Sequence, residues 1–125
     1  MSGEGPRWRL HRLDDAPREK MMSGVERRFL SGERTTVAQI WLARGALVPT
    51  HTHESEQVSY IVEGAVRFKL GEPSDEVTVR SGEVLVIPSN MPHSAEALED
   101  TYDLDLFAPR REDWISGNDA YLRGR

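Results

Sequence analysis

The chain has 125 residues, no cysteine, four histidines, 38% hydrophobic and 7% aromatic residues, and 16 basic against 21 acidic side chains, a formal charge of −5. Surface scaling at this mass lets one domain bury about two-thirds of the area its unfolded chain exposes, with too little left over for a second core. Without cysteine there is no disulfide, thiolate metal site, iron–sulfur cluster or thiol nucleophile, so any metal must take imidazole, carboxylate or amide ligands.

Arg7, Arg9 and Arg12 are followed by no apolar run of signal-peptide length, and runs such as Val84-Leu85-Val86-Ile87 are too short to span a membrane. The acidic balance and the lack of a basic stripe argue against nucleic acid. A soluble cytoplasmic protein, with neither nucleic acid nor membrane as partner, is expected. Residues 1–24, broken by Gly3, Gly5, Pro6, Pro17 and Gly24, read as a polar lead-in in which Trp8-Arg9-Leu10 adds an edge strand. From Val25 onward, short β-branched and apolar runs alternate with turn signals, the pattern of a sandwich or barrel. Strands are predicted over 25–30, 35–43, 58–62, 65–70, 76–80, 84–87, 93–98 and 102–107, with turns at Ser31-Gly32-Glu33-Arg34, Glu63-Gly64, Ser81-Gly82 and Pro88–Pro92. The tail 109–125 is irregular apart from helical turns over 110–115 and 119–122. The reading is all-β, with the folded body over 25–108.

Three of the four histidines fall in two short segments, one running from Gly45 through His51, His53 and Gln57 to Gly64, the other from Gly82 through Pro88 to His93. In an extended chain alternate side chains share a face, so His51 and His53 project together, and an uninterrupted strand adds Gln57. Histidines with an oxygen donor suit Zn, Ni, Mn, Fe or Co better than Mg or Ca. Taken alone, His-x-His is also what a pair of surface histidines on a polar loop looks like. His11, in the lead-in, reads as a surface residue, and Trp41 and Trp114 as packing residues.

The two segments resemble the paired motifs of the cupin family. Gly-x5-His-x-His-x3-Glu-x6-Gly is met by Gly45, His51, His53, Gln57 and Gly64, and Gly-x5-Pro-x-Gly-x2-His-x3-Asn by Gly82, Pro88, Asn90, His93 and Ala97. The resemblance implies a double-stranded β-helix, the jelly-roll barrel, with a divalent transition metal at its mouth on His51, His53, Gln57 and His93, and a homodimer. Three positions depart from the pattern. Gln57 stands for Glu and offers a neutral carbonyl oxygen, so Glu56 next to it is the alternative ligand if the loop shifts by one residue. Asn90 stands for Gly at a turn and tolerates the left-handed conformation better than most residues. Ala97 stands for Asn.

Tyr102-Asp103-Leu104-Asp105-Leu106-Phe107 alternates strictly and puts Asp103, Asp105 and Phe107 on one face. With Ala108-Pro109-Arg110-Arg111 after it, this segment resembles the Asp-x-Phe-Ser-Pro-x-Arg end of the small KdgF-type cupins, which convert unsaturated uronates to linear keto forms. That resemblance implies Asp105 as proton carrier, Phe107 as a substrate-pocket residue and Arg111 as a catalytic and substrate-binding clamp on a small anionic or hydroxylated substrate. A metal-dependent dioxygenase on a small carbonyl or phenolic compound and a non-enzymatic ligand-binding cupin are the alternatives.

Overall fold

In the computed structural model, which describes residues 5–123, the described residues form ten strands: β1 (Glu19–Lys20), β2 (Val25–Ser31), β3 (Thr36–Leu42), β4 (Leu47–His51), β5 (Glu56–Glu63), β6 (Ala65–Leu70), β7 (Asp75–Arg80), β8 (Val84–Ile87), β9 (His93–Ala97) and β10 (Thr101–Ala108). A helix α1 (Glu112–Ser116) and a 3-10 turn (Ala120–Leu122) follow, and another 3-10 turn (Leu13–Asp15) precedes β1. Two antiparallel sheets face each other, one in the order β1-β2-β3-β10-β5-β8 and the other β4-β9-β6-β7. This is the jelly-roll barrel expected from the two motifs.

Two-residue periodicity builds both layers. In β3, Thr36, Ala38, Ile40 and Leu42 are buried while Val37, Gln39 and Trp41 are only partly covered; in β5, Gln57, Ser59 and Ile61 face in and Glu56 and Tyr60 face out. Ile61, Val66, Ile87 and Val25 meet between the sheets at 0–2% exposure. Truncating such a side chain costs roughly 2–5 kcal/mol through lost transfer energy and the cavity left behind.

Two sequence expectations change, and one buried charge comes unannounced. Trp8-Arg9-Leu10 pairs with nothing in the sheets, and the lead-in's strand is β1, which pairs Glu19 with Arg27 and Lys20 with Glu26. Leu47–His51, with its polar end and central proline, lacked a β-branched run and yet forms the edge strand β4. The interior charge Arg27, on the same face as Val25 and Phe29, is fully buried.

The register gathers the chemistry at one end of the barrel. His51 closes β4 opposite His93, which opens β9. On the other sheet Gln57, near the start of β5, pairs with Ile87 at the end of β8 and with Phe107 near the end of β10.

At the other end, Gly64 carries the chain from β5 to β6 with φ +101°, and a Cβ there would lie 2.5 Å from the Asp100 carbonyl oxygen and 2.8 Å from Thr101 Cα. Gly64→Ala is therefore expected to cost more than about 2 kcal/mol, since backbone rather than a flexible side chain would have to move. Gly45→Ala, with φ +87° but nothing within 4 Å of the added Cβ, should cost only about 1 kcal/mol. Thermal unfolding of the two variants side by side checks the difference.

Candidate metal centre

The chain leaves one sheet at His51 and enters the other at Glu56, so His53 lies in the connection and not on a strand with its neighbours. The face-sharing expected of one continuous strand is replaced by a turn across the barrel mouth, which brings the same residues together. Potential ligand atoms of His51, His53 and His93 lie within 4.8 Å of one another. The backbone amide of Asn90 donates to the His53 carbonyl at 2.8 Å, tying the second motif to the first, and Asn90 takes φ 63°, the left-handed turn expected there.

Each imidazole is oriented the same way. Nδ1–H of His51 donates to the Pro49 carbonyl, that of His53 to Ser55 and that of His93 to Met91, all at 2.8 Å. A carbonyl only accepts, so Nδ1 carries the proton and Nε2 is left with its lone pair, as a metal ligand requires. Burial, with the neighbouring His93, pushes His51 down to about 3; burial, Arg111 and His93 push His53 down to about 4. His93 is lowered as well, by burial first. All three rings are neutral near pH 7.

Two observations fit these residues to a divalent metal. His93 Nε2 is buried with no hydrogen-bond partner. His53 Nε2 and Gln57 Oε1 stand 3.1 Å apart, two lone pairs turned toward one region while the Gln57 amide donates to Ser59 Oγ at 2.8 Å. Two donors each about 2.0–2.1 Å from a metal and at right angles are about 3 Å apart. Gln57 is buried, whereas Glu56 faces outward, so the amide and not the neighbouring carboxylate is on the interior side.

Behind the histidines a cavity of about 60 Å³ runs into the barrel, lined among others by His51, Gln57, His93, Asp103, Asp105 and Phe107. Asp103 and Asp105 are buried on the interior face of β10, each with one oxygen lacking any partner. Burial raises Asp103 well above the usual carboxylate range, reinforced by the charge of Asp105. Asp105 is also raised by burial, but bonds from Asp103 and Ser59 and the charge of Arg111 pull it back. Of the two, Asp103 is the one that keeps its proton.

Phe107 is buried and turns an edge to His53, ring centres 5.7 Å apart. Arg111 lies over the Phe107 and Trp114 rings at 4.8 and 4.5 Å. Its fork, expected to be open for a substrate carboxylate, is closed: Nε and Nη2 hold both oxygens of Asp113 at 3.0 and 2.8 Å, and Nη2 also donates to Tyr121 Oη at 2.7 Å. Nη1 is the end outside this arrangement. Tyr121 stacks on His51 with ring centres 4.4 Å apart. Sequence reasoning missed Tyr121, for which an isolated aromatic in a polar tail gave no signal. It also missed Arg27, whose signal was a charge on the apolar face of β2.

Comparison with known proteins agrees with this fold. The KdgF structure from Halomonas sp. superposes with a TM-score of 0.76 at 27% identity, covering 86% of this chain and 99% of that one. An RmlC-like cupin from Shewanella frigidimarina gives 0.77 at 25%, covering 86% and 96%. Rat 3-hydroxyanthranilate 3,4-dioxygenase is 30% identical over 74 residues, 58% of this chain but only 26% of its own length. The family model described as the cupin domain matches residues 40–108, a stretch that takes in both histidine segments, and the chain belongs to that family.

Proposed function

We propose that this cupin is a metal-dependent isomerase that converts 4,5-unsaturated uronate monosaccharides to their linear keto forms. The observation that carries the reading is Asp105, a buried carboxyl with an oxygen lacking any partner, in the same cavity as His51, His93 and Gln57. The likeness to KdgF over nearly the whole of that chain supports it. His51, His53, His93 and Gln57 would hold a divalent transition metal such as Zn, Ni, Mn, Fe or Co, which supplies Lewis acidity toward substrate oxygens.

The reaction needs no oxidant. The ring oxygen parts from the hemiacetal carbon, the hemiacetal hydroxyl loses its proton, and the vinyl carbon next to the enol gains one as the ketone forms. Asp105, its carboxyl lifted by burial, is suited to carry that proton at neutral pH. Phe107 shapes the apolar side of the pocket. With its fork on Asp113, Arg111 offers the substrate the single Nη1 side of its guanidinium, in place of a two-point clamp.

A second reading, a dioxygenase on a small carbonyl or phenolic compound, is favoured by the 30% identity to the rat enzyme. Against it stands the neutral Gln57, where a carboxylate ligand would offset part of the metal charge.

Elemental analysis is expected to find stoichiometric divalent metal in the purified protein, with most of it lost in His93→Ala and none of it lost in His11→Ala; equal metal in both variants would remove the basis of the proposal.

With 4,5-unsaturated galacturonate, the vinyl proton followed by NMR should disappear faster than in buffer alone. Asp105→Asn is expected to slow this by about 10²–10⁴-fold, the usual worth of a positioned acid or base, while retaining metal. Oxygen consumption with catechols and no effect on the uronate would transfer the assignment to the dioxygenase.

The carboxyl pair also predicts a pH dependence of stability. Asp103 is raised in the fold, so its contribution is fully present below the unfolded value near 3.8 and is lost as pH rises through the folded value. Asp103→Asn removes that loss. Its melting temperature relative to the parent should therefore climb from about pH 5 to about pH 9; a constant difference across that range would mean Asp103 is ionised in the fold.

A further inference from the structure

The cavity behind the histidines is about 60 Å³, room for a few waters and not for a sugar acid, since pockets that enclose small molecules run to roughly 300–1,000 Å³. A wall has to give way for the proposed substrate, or any organic molecule of that size, to enter. The sheets are poor candidates, because each interior strand is held by backbone ladders on both sides.

The segment after Arg111 is held differently. The backbone amides of Trp114, Ile115, Asn118, Leu122 and Arg123 donate only to carbonyls of Arg111, Asp113, Asp119 and Ala120, so no bond among these ties the segment to a strand. Side chains make the attachment. Tyr121 lies on the His51 ring, its hydroxyl bonded by Arg111 and, at 3.3 Å, by Trp114. Asp119 belongs to a closed ring of charges with Arg27, Glu19 and Arg123: Arg27–Asp119 2.7 Å, Asp119–Arg123 2.7 Å, Arg123–Glu19 3.1 Å and Glu19–Arg27 2.8 Å. Between α1 and this turn stands Gly117, the left-handed cap of α1 at φ +84°, where an added Cβ would meet nothing within 4 Å, and the chain beyond it can pivot there. Trp114, wedged between the Arg27 and Arg111 guanidiniums at 4.4 and 4.5 Å, stays on the barrel side of that pivot.

We propose that the turn Ala120–Leu122 is a movable wall of the pocket and that Tyr121 is a specificity-determining residue, which admits an organic ligand to the metal only when its ring leaves the face of His51. The identity of that ligand rests on the proposed function; the movement of the wall does not. The ring of four charges is the latch: Asp119 and Arg123 flank the moving turn, and Glu19 on β1 and Arg27 on β2, paired strands of one sheet, are the fixed posts.

Two measurements that need no turnover test the wall. Zinc-loaded protein mixed with a chromophoric chelator should release metal about tenfold faster in Tyr121→Ala than in the parent, because the ring covering His51 is gone. Tyr121→Phe, which keeps the ring, should release at nearly the parent rate. Arg123→Ala opens the latch at its half-exposed corner without stranding a buried charge, and should raise hydrogen exchange of amides 118–123 while leaving β5 and β10 protected. Unchanged zinc release in Tyr121→Ala, or amides 118–123 as protected as β5 in the parent, would overturn the proposal. On the uronate, Tyr121→Ala should shift kcat/KM toward an unsaturated disaccharide relative to the monosaccharide. If neither sugar reacts with any form of the protein, the functional reading fails, and zinc release and hydrogen exchange still decide the wall.

Discussion

Four residues, 52–55, carry the chain from the end of β4 to the start of β5 across the mouth of the barrel. Facing sheets are about 10 Å apart and the five Cα–Cα steps from His51 to Glu56 reach roughly 17 Å at full extension, so the crossing is short, with room for little more than the bend at Glu54 and Ser55. That constraint places His51 on one sheet, Gln57 on the other and His53 between them, and fixes where His93 must come, opposite His51 in the β4–β9 register. The three Nδ1–H bonds to carbonyls two residues away along the chain then need no other part of the fold. Each ring is oriented by its own segment, while the sheets decide how the segments meet.

Several charged side chains are buried in the fold. Arg27, Asp103, Asp105, Arg111 and Asp119 are all buried, yet these charges are not equivalent. Arg27 and Arg111 are each matched to carboxylates at hydrogen-bond distance, and breaking either arrangement would strand a buried cation at a cost of roughly 3–5 kcal/mol. Asp103 has no such match and settles the matter by holding a proton. The whole-chain charge of −5 is therefore a poor guide to the cavity, in which the cations are held by carboxylates and Asp103 is pushed toward its neutral form.

Much of this could be read from the sequence because it follows from period-two alternation and from turn chemistry. The strict alternation of β10 put Asp103, Asp105 and Phe107 on one face, and the interior of the barrel is where that face lies. Asn90 kept a left-handed turn because its side chain tolerates it. The choice between Glu56 and Gln57 needed the true start of β5: with Ser59 and Ile61 facing in, Gln57 must follow them and Glu56 cannot. What the sequence hid were long-range pairings. Arg27 finds Asp119 some ninety residues later, Arg111 finds its partner in Asp113 instead of an incoming ligand, and Tyr121 reaches His51 from a tail with no periodic pattern. Side-chain attachments of that kind leave no local signature, because they depend on where two distant segments end up.

The exchange of a carboxylate for Gln57 and the closure of Arg111 on Asp113 bear on each other. With Gln57 as the fourth ligand, the donor set would leave the charge of a divalent metal uncompensated by the protein, and the nearest guanidinium adds to the positive field felt by all three histidines. Had that guanidinium also been free, the mouth would hold two unmatched cations against each other. Asp113 removes half of that difficulty, and Asp105, within the field of Arg111 and held by Ser59, can lose its proton more readily than Asp103 beside it. An anion arriving at the metal would then find one strong positive centre, the Nη1 end of Arg111, and a carboxyl whose proton is available because its neighbour keeps another. Under the isomerase reading this division of labour is what the reaction asks for: charge to receive the substrate and a proton held apart from water until it is needed.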